Sequence, residues 1–328
     1  MSQLIDTLLL TALPASGKSE VRKFLAAQSP QVQAERFHMG PTVQLDDYPY
    51  VHMMRRISEE LTARDQAPVF FPSSDQTFCE PRDWGTLIEL INEDYHDLRN
   101  KPSNVPESAS AWLFQRMDAA RERVGAKAEL CALPAAARAH LEQVMEKEAR
   151  GLWQEKMDGI PQSLDGTTVV IEFARGGAQG SSMPLPAPYG YRYSFSRLSD
   201  EILKRASVLY IWVTPEESRR KNDERAKPGR EGDASILHHG VPISVMLGEY
   251  GTDDMAHLME TSGRDGTVKV ETRGKTFYLP VSRFDNRKDL TTFIRGEASE
   301  WPADSVEAIR AEMSRAMEAL ARAESQRS

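Results

Sequence analysis

Residues 8–19 read LLLTALPASGKS, an apolar run that turns at Pro14 and Gly17 and closes on Lys18 and Ser19. A loop that cradles phosphate needs a small residue where the chain leaves a strand, backbone N–H groups turned inward, a lysine for the outer phosphates and a hydroxyl for magnesium. Ala12-Leu13-Pro14-Ala15-Ser16-Gly17-Lys18-Ser19 supplies these at the required spacing. Ala12 stands where such loops usually begin with glycine, and its methyl group is tolerated if the backbone keeps φ below zero. Gly17 frees the backbone at the tightest approach, Lys18 brings a point charge, and Ser19 sits at a helix N-terminus whose dipole favours an anion.

The pattern needs a strand before it and a helix after it. IDTLLLTA (5–12) is the strand, and in SEVRKFLAA the residues Val21, Phe24 and Leu25 fall on one helix face. TVQLDD (42–47) follows as a second strand, completing a βαβ unit. TVVIEFA (168–174), SVLYIWV (207–213) and TFYLPVSRF (276–284) read as three further buried strands of a parallel sheet. Thr214-Pro215-Glu216-Glu217 predicts a helix start, with Thr at the N-cap, Pro at N1 and Glu at N3.

The interval from 50 to 166 is helical in pattern. Trp84, Leu87, Ile88, Ile91, Tyr95 and Leu98 make one stripe, and SASAWLFQRMDAARERV and LPAAARAHLEQVMEKEARGLW read as further helices. KPSNVPES (101–108) reads as a linker, and GGAQGSSMPLPAPYGYRY (176–193) as a loop facing substrate at a strand end, with a plain surface loop as its alternative. The final segment from Ala303 forms a charged amphipathic helix that caps the domain or frays.

With 41 Lys+Arg against 49 Asp+Glu, the net charge of -8 offers no general attraction to nucleic acid or an anionic membrane. No stretch approaches the length of a membrane span. The short Leu8-Leu9-Leu10 run lacks a basic flank, so a soluble, cytoplasmic protein is expected. Cys79 and Cys131 match no metal spacing and are expected to be reduced and buried.

On the loop, VLYIWVTPEESRRKNDER and LPVSRFDNRKDLTTF, the chain resembles the P-loop kinase superfamily, in its nucleoside-monophosphate-kinase-like, small-molecule branch. The resemblance covers residues 4–48 and 167–295. It implies an α/β, three-layer P-loop fold with a five-stranded parallel sheet and a large helical insertion between strands 2 and 3. The core is then 1–49 and 167–300, the insertion 50–166 holds the acceptor, 214–240 forms a lid, and 301–328 is the C-terminal helix. ATP and magnesium are the implied cofactors, and a small nucleoside- or nucleotide-like molecule is the acceptor.

Phosphoryl transfer requires cations around the moving group and a carboxylate on the acceptor hydroxyl. Asp46 and Asp47 end the second strand on the sheet edge that carries the loop, and alternation along a strand points one of them at the site. Helix capping is their alternative role. Lys18 joins the catalytic set; Ala15, Ser16, Gly17, Lys18 and Ser19 hold the nucleotide.

The resemblance places Glu172 at the second acidic position, where many members have Asp and which contacts magnesium through water, with Ser19 as the hydroxyl ligand. Lid arginines of the resembling kinases close over the phosphates, and Arg219, Arg220, Arg225 and Arg230, with Lys221 and Lys227, are the candidates, Arg225 and Arg230 as catalytic groups and Arg219 on the nucleotide. Gly229 and Gly232 give this segment mobility. His238-His239 lacks partners for a metal site.

Tyr48, Arg55 and Arg175 are candidates for binding the acceptor, Tyr50, His52 and Arg56 lie in the same stretch, and FPSSDQTF (71–78) adds polar contacts. Arg175 alternatively pairs with a surface acid, and the two tyrosines alternatively pack in the core. Two other functions fit the same residues: a kinase acting on a nucleic-acid end or modified base, and a nucleotide-dependent ATPase switch.

Overall fold

The computed structural model describes residues 4–102, 104–225 and 240–326. Strands β1 (Thr7–Thr11), β2 (Thr42–Asp46), β3 (Thr168–Phe173), β4 (Ala206–Trp212), β5 (Thr267–Thr272) and β6 (Lys275–Asp285) form one sheet in the order β2-β3-β1-β4-β6-β5. The pairs β2–β3, β3–β1, β1–β4 and β4–β6 are parallel, and β5 runs antiparallel to β6.

The sheet is therefore mixed and six-stranded, which corrects the expected five-stranded parallel sheet. The missed strand belongs to a hairpin: Arg273 and Gly274, at φ 48° and 71°, join the paired Thr272 and Lys275. Two consecutive positive φ values suit a two-residue turn between twisted antiparallel strands. Only Val268 and Val270 of β5 are buried, because an edge strand turns Lys269 and Glu271 outward.

Side chains alternate across the strands, so each face of the sheet buries its own layer. Leu8 and Leu10 pack with Val21, Phe24 and Leu25 of α1 (Lys18–Ala26), with Phe37 of α2 (Pro30–Phe37), and with α12 (Ala303–Ser325). Helix α12 does not fray: Ile309, Met313, Ala316, Met317 and Leu320 are fully buried at helical spacing.

Leu9 faces the other layer, built from α4 (Asp83–Asn100), α7 (Gly190–Arg197), α8 (Asp200–Leu203) and α11 (Met255–Glu260). Helices α9 (Pro215–Arg225) and α10 (Ile243–Gly248) stand at the sheet end that follows β4.

Between β2 and β3 the chain forms α3 (Tyr48–Thr62), α4, α5 (Ala109–Arg123) and α6 (Ala135–Asp158). These have a core of their own, including Met54, Ile57, Phe70, Leu113, Phe114 and Leu141. Helix α4 is shared, sending Leu87 and Leu90 into that core and Ile88, Ile91, Tyr95 and Leu98 onto the sheet. The insertion is thus seated on the sheet by the stripe legible in its sequence.

Two further expectations are corrected. Cys79 and Cys131 are free but exposed, because they lie on the connections between α3 and α4 and between α5 and α6 rather than on a core-facing helix stripe; their amides donate to the Phe70 carbonyl and the Asp118 carboxylate. The segment 176–193 is irregular only to Tyr189; α7 starts at Gly190, where Asp254 accepts the amides of Tyr191 and Arg192 at 2.6 and 3.1 Å. Among the described residues no helix is long and apolar enough to cross a membrane.

Candidate functional site

The loop 12–17 leaves the C-terminal end of β1 and enters α1 through Gly17, which caps the helix in the left-handed region at φ 100°. A Cβ at Gly17 would stand 2.5 Å from Thr291 Oγ1 and 2.7 Å from Asn286 Nδ2, so position 17 requires glycine twice over. Ala15 is the other left-handed residue of the loop, at φ 56°. Ala12 lies outside that region and is fully buried, which accounts for a methyl group at the strand exit.

Alternate carbonyls of the loop are held from three sides. The Tyr191 hydroxyl donates to Ala12 O at 2.9 Å, Ser218 Oγ to Pro14 O at 2.7 Å, and Asn286 Nδ2 to Ser16 O at 2.8 Å. Tyr191 belongs to α7, Ser218 to α9, and Asn286 follows β6. No side chain caps α1, and among the described residues no protein acceptor takes the amides of Ala15, Ser16 or Gly17. Amides left without protein acceptors beside carbonyls tied to the protein are the arrangement that can bind an anion.

Two carboxylates stand beside it. Asp46 and Glu172 are register partners on β2 and β3, so they share one face of the sheet. Arg22 of α1 reaches both, 2.8 Å from Glu172 Oε2 and 3.8 Å from Asp46 Oδ2. Burial, with Glu172 and Asp47 nearby, raises the Asp46 carboxyl to about 7, against the Tyr48 amide and Arg22, which lower it. The Tyr48 amide donates to Asp46 Oδ1 at 2.8 Å, so Asp46 also supports the start of α3.

Asp47 points elsewhere. Its Oδ2 is 2.7 Å from Arg175 Nη1, and that guanidinium also donates to Ala174 O and lies over the rings of Trp84 and Phe173. Arg175 is neither at the surface nor open to a substrate along its Nη1 edge; it is 2% exposed and ties the end of β3 to the start of α3.

Next to this pair runs a wall of rings. Phe71 stacks on Phe78 at 4.3 Å, Phe78 meets Trp84 edge-on at 5.0 Å, and Trp84 meets Tyr250 at 5.8 Å. Arg55 lies 4.1 Å over Phe71 and donates to Ser74 O at 3.0 Å; burial lowers its pKa. Burial also raises the Tyr48 hydroxyl, countered by Arg55. Trp84 Nε1 donates to Glu249 at 2.8 Å, and burial pushes that carboxyl up. Leu13 of the loop packs with Val245, Met246 and Tyr250, so α10 rests directly on the phosphate-loop candidate.

Most other sequence candidates are engaged in pairs within the protein. Tyr50 is a core residue that donates to Asp94 at 2.7 Å. His52 and Arg56 pair with Glu148 of α6. On α9, Arg219 pairs with Glu216, Arg220 with Glu217 and Glu224, and Lys221 is buried against Asp289 at 2.9 Å. Arg225 is the last residue of that helix; Lys227, Gly229, Arg230, Gly232, His238 and His239 lie outside the described residues.

Among the described residues no group of three or more His, Cys, Asp or Glu is arranged to hold a metal. Magnesium bound with phosphates needs only one or two protein oxygens, so Ser19 and Glu172, one of whose oxygens has no hydrogen-bond partner, fit that role. A separate open groove of about 910 Å3 between α4, α5 and the β5–β6 hairpin is lined by charges such as Glu93, Arg116, Asp200 and Arg273 that pair within the protein.

The residues that sequence reading missed are Arg22, Trp84 as a site residue, Tyr191, Ser218, Tyr250 and Asn286. Only Arg22 carried a local signal, lying three residues after Ser19 on one helix face. Comparison with protein-family models, curated proteins and solved structures finds no match.

Proposed function

We propose that the protein is an ATP-dependent kinase with a P-loop fold, transferring the γ-phosphoryl group to a small nucleoside- or nucleotide-like acceptor. One observation carries this reading: a loop whose carbonyls at residues 12, 14 and 16 are held by Tyr191, Ser218 and Asn286 while, among the described residues, the amides of 15, 16 and 17 have no protein acceptor at the start of α1.

In this reading the loop amides and Lys18 hold the outer phosphates of ATP. Ser19 and Glu172 would hold magnesium bound with the nucleotide, and the ion would neutralise phosphate charge. The acceptor occupies the cleft bounded by Tyr48, Arg55 and the Trp84–Tyr250 wall, where rings and a cation suit an aromatic, anionic molecule. Its hydroxyl oxygen attacks the γ-phosphorus, the bond to the β-phosphate oxygen breaks, and the hydroxyl proton passes to Asp46. A carboxyl titrating near neutrality suits that transfer.

The test is transfer of label from γ-labelled ATP and magnesium to separate pools of nucleosides, nucleotides, sugars, DNA and RNA. Label in a nucleoside or nucleotide pool, lost in Lys18→Ala, is the expected result. Label in the DNA or RNA pool moves the acceptor class to nucleic-acid ends. Release of free phosphate unchanged by any pool points to an ATPase switch, and full transfer in Lys18→Ala overturns the reading.

A further inference from the structure

Arg22 follows Ser19 by three residues in α1, so the two side chains leave the same side of the helix. Its guanidinium sits on the carboxylate oxygen Glu172 Oε2 at 2.8 Å and within 3.8 Å of Asp46. Two carboxylates in register on adjacent strands repel, and one monovalent cation offsets that repulsion only in part.

The contact also lacks directed hydrogen bonding. Glu172 Oε2 is buried without a hydrogen-bond partner, although Arg22 Nη1 stands 2.8 Å from it. Arg175, by contrast, is fixed by hydrogen bonds to Asp47 and Ala174. A guanidinium held by charge alone is exchangeable for another cation, whereas a hydrogen-bonded one is built in.

We infer that Arg22 is a stand-in cation: it occupies the Glu172 oxygen that a divalent ion uses, and yields it only to an ion arriving with nucleotide phosphates. The inference rests on the phosphate-loop reading above. A bare divalent ion dehydrates reluctantly and meets a carboxylate already neutralised. An ion on a triphosphate brings phosphate oxygens as further ligands, and phosphate charge that attracts the released guanidinium. Metal binding is thereby made conditional on nucleotide.

The experiment titrates Mn2+ into the full chain and reads free Mn2+ by electron paramagnetic resonance, with and without a non-hydrolysable ATP analogue. Without the analogue, Arg22→Gln should bind Mn2+ about tenfold or more tightly than wild type, the counterpart of one charge-assisted contact that no longer competes. Arg22→Met, which keeps the aliphatic stem, should show the same gain and serves where the glutamine variant does not fold. Arg310→Gln, the same charge change on α12, should stay at the wild-type value. The double variant Arg22→Gln with Glu172→Gln should lose the gain.

Equal Mn2+ affinity in wild type and Arg22→Gln, with both still binding the Mn2+–analogue complex, overturns the exchange and leaves the phosphate-loop reading standing. A gain that survives in the double variant overturns it as well. Failure of the wild type to bind the analogue at all overturns both.

Discussion

Arg175 donates to Asp47 at 2.7 Å from a side chain that is only 2% exposed. The pair divides the work of two adjacent aspartates. Asp47 is spent on joining β3 to α3, and Asp46, one residue earlier, stays with Glu172 at the mouth of the loop. The two neighbouring carboxylates serve different elements because β2 ends at Asp46, and Asp47, already in helical backbone geometry, is the N-cap residue of α3.

Removing Asp47 strands a buried guanidinium. Asp47→Ala should lower stability by about 3–5 kcal/mol, the usual cost of one partner lost from a buried pair. Urea unfolding measures it, and a loss below about 1 kcal/mol would show that Arg175 finds another partner or water.

Gly17→Ala combines two penalties, a left-handed backbone and a methyl group driven toward Thr291 and Asn286. About 1–3 kcal/mol of stability should be lost to the strained backbone. Because Asn286 also holds Ser16 O, displacing it should weaken ATP binding in calorimetry as well. Unchanged affinity would mean that the loop shape does not depend on Asn286.

Tyr191 links the loop to β3: its hydroxyl accepts the Arg175 amide at 3.3 Å and donates to Ala12 O at 2.9 Å. Tyr191→Phe leaves two buried backbone groups without partners, and a stability loss of about 1–3 kcal/mol is expected. The nucleotide Kd should rise with it, since the freed Ala12 carbonyl loosens the loop; a melting shift with no change in Kd would make Tyr191 purely structural.

The parts legible in the sequence were those whose cause is local. A strand, a glycine-bearing turn and an amphipathic helix in succession announce themselves within twenty residues, and the α4 stripe did so within one helix. What holds the loop was hidden, because Ala12 meets Tyr191, Pro14 meets Ser218 and Ser16 meets Asn286 across 179, 204 and 270 positions. Arg175 read equally as an anion ligand or a surface pair, and burial decided against the surface. Strand β5 was missed because an edge strand with alternating charges looks like a polar loop until its hairpin is seen.

Asp46 yields the sharpest prediction, since chemistry and stability pull it in opposite directions. Its folded-state carboxyl titrates at about 7 against an ordinary 3.8, raised first by burial and then by Glu172 and Asp47. Between those values the folded protein keeps a proton that the unfolded chain has lost, so stability falls as pH rises, and the cost is complete above about 7. Asp46→Asn removes the charge and keeps an oxygen for the Tyr48 amide. The variant should therefore be more stable than wild type at pH 8, by about 1–2 kcal/mol once screening of a side chain 32% exposed is allowed for, with the advantage vanishing near pH 4. Phosphoryl transfer should meanwhile fall by about 10²–10⁴, as for loss of a general base. Urea titrations at several pH values test the first half; a difference that stays constant with pH would remove the raised carboxyl, and with it the reason to choose Asp46 as the base.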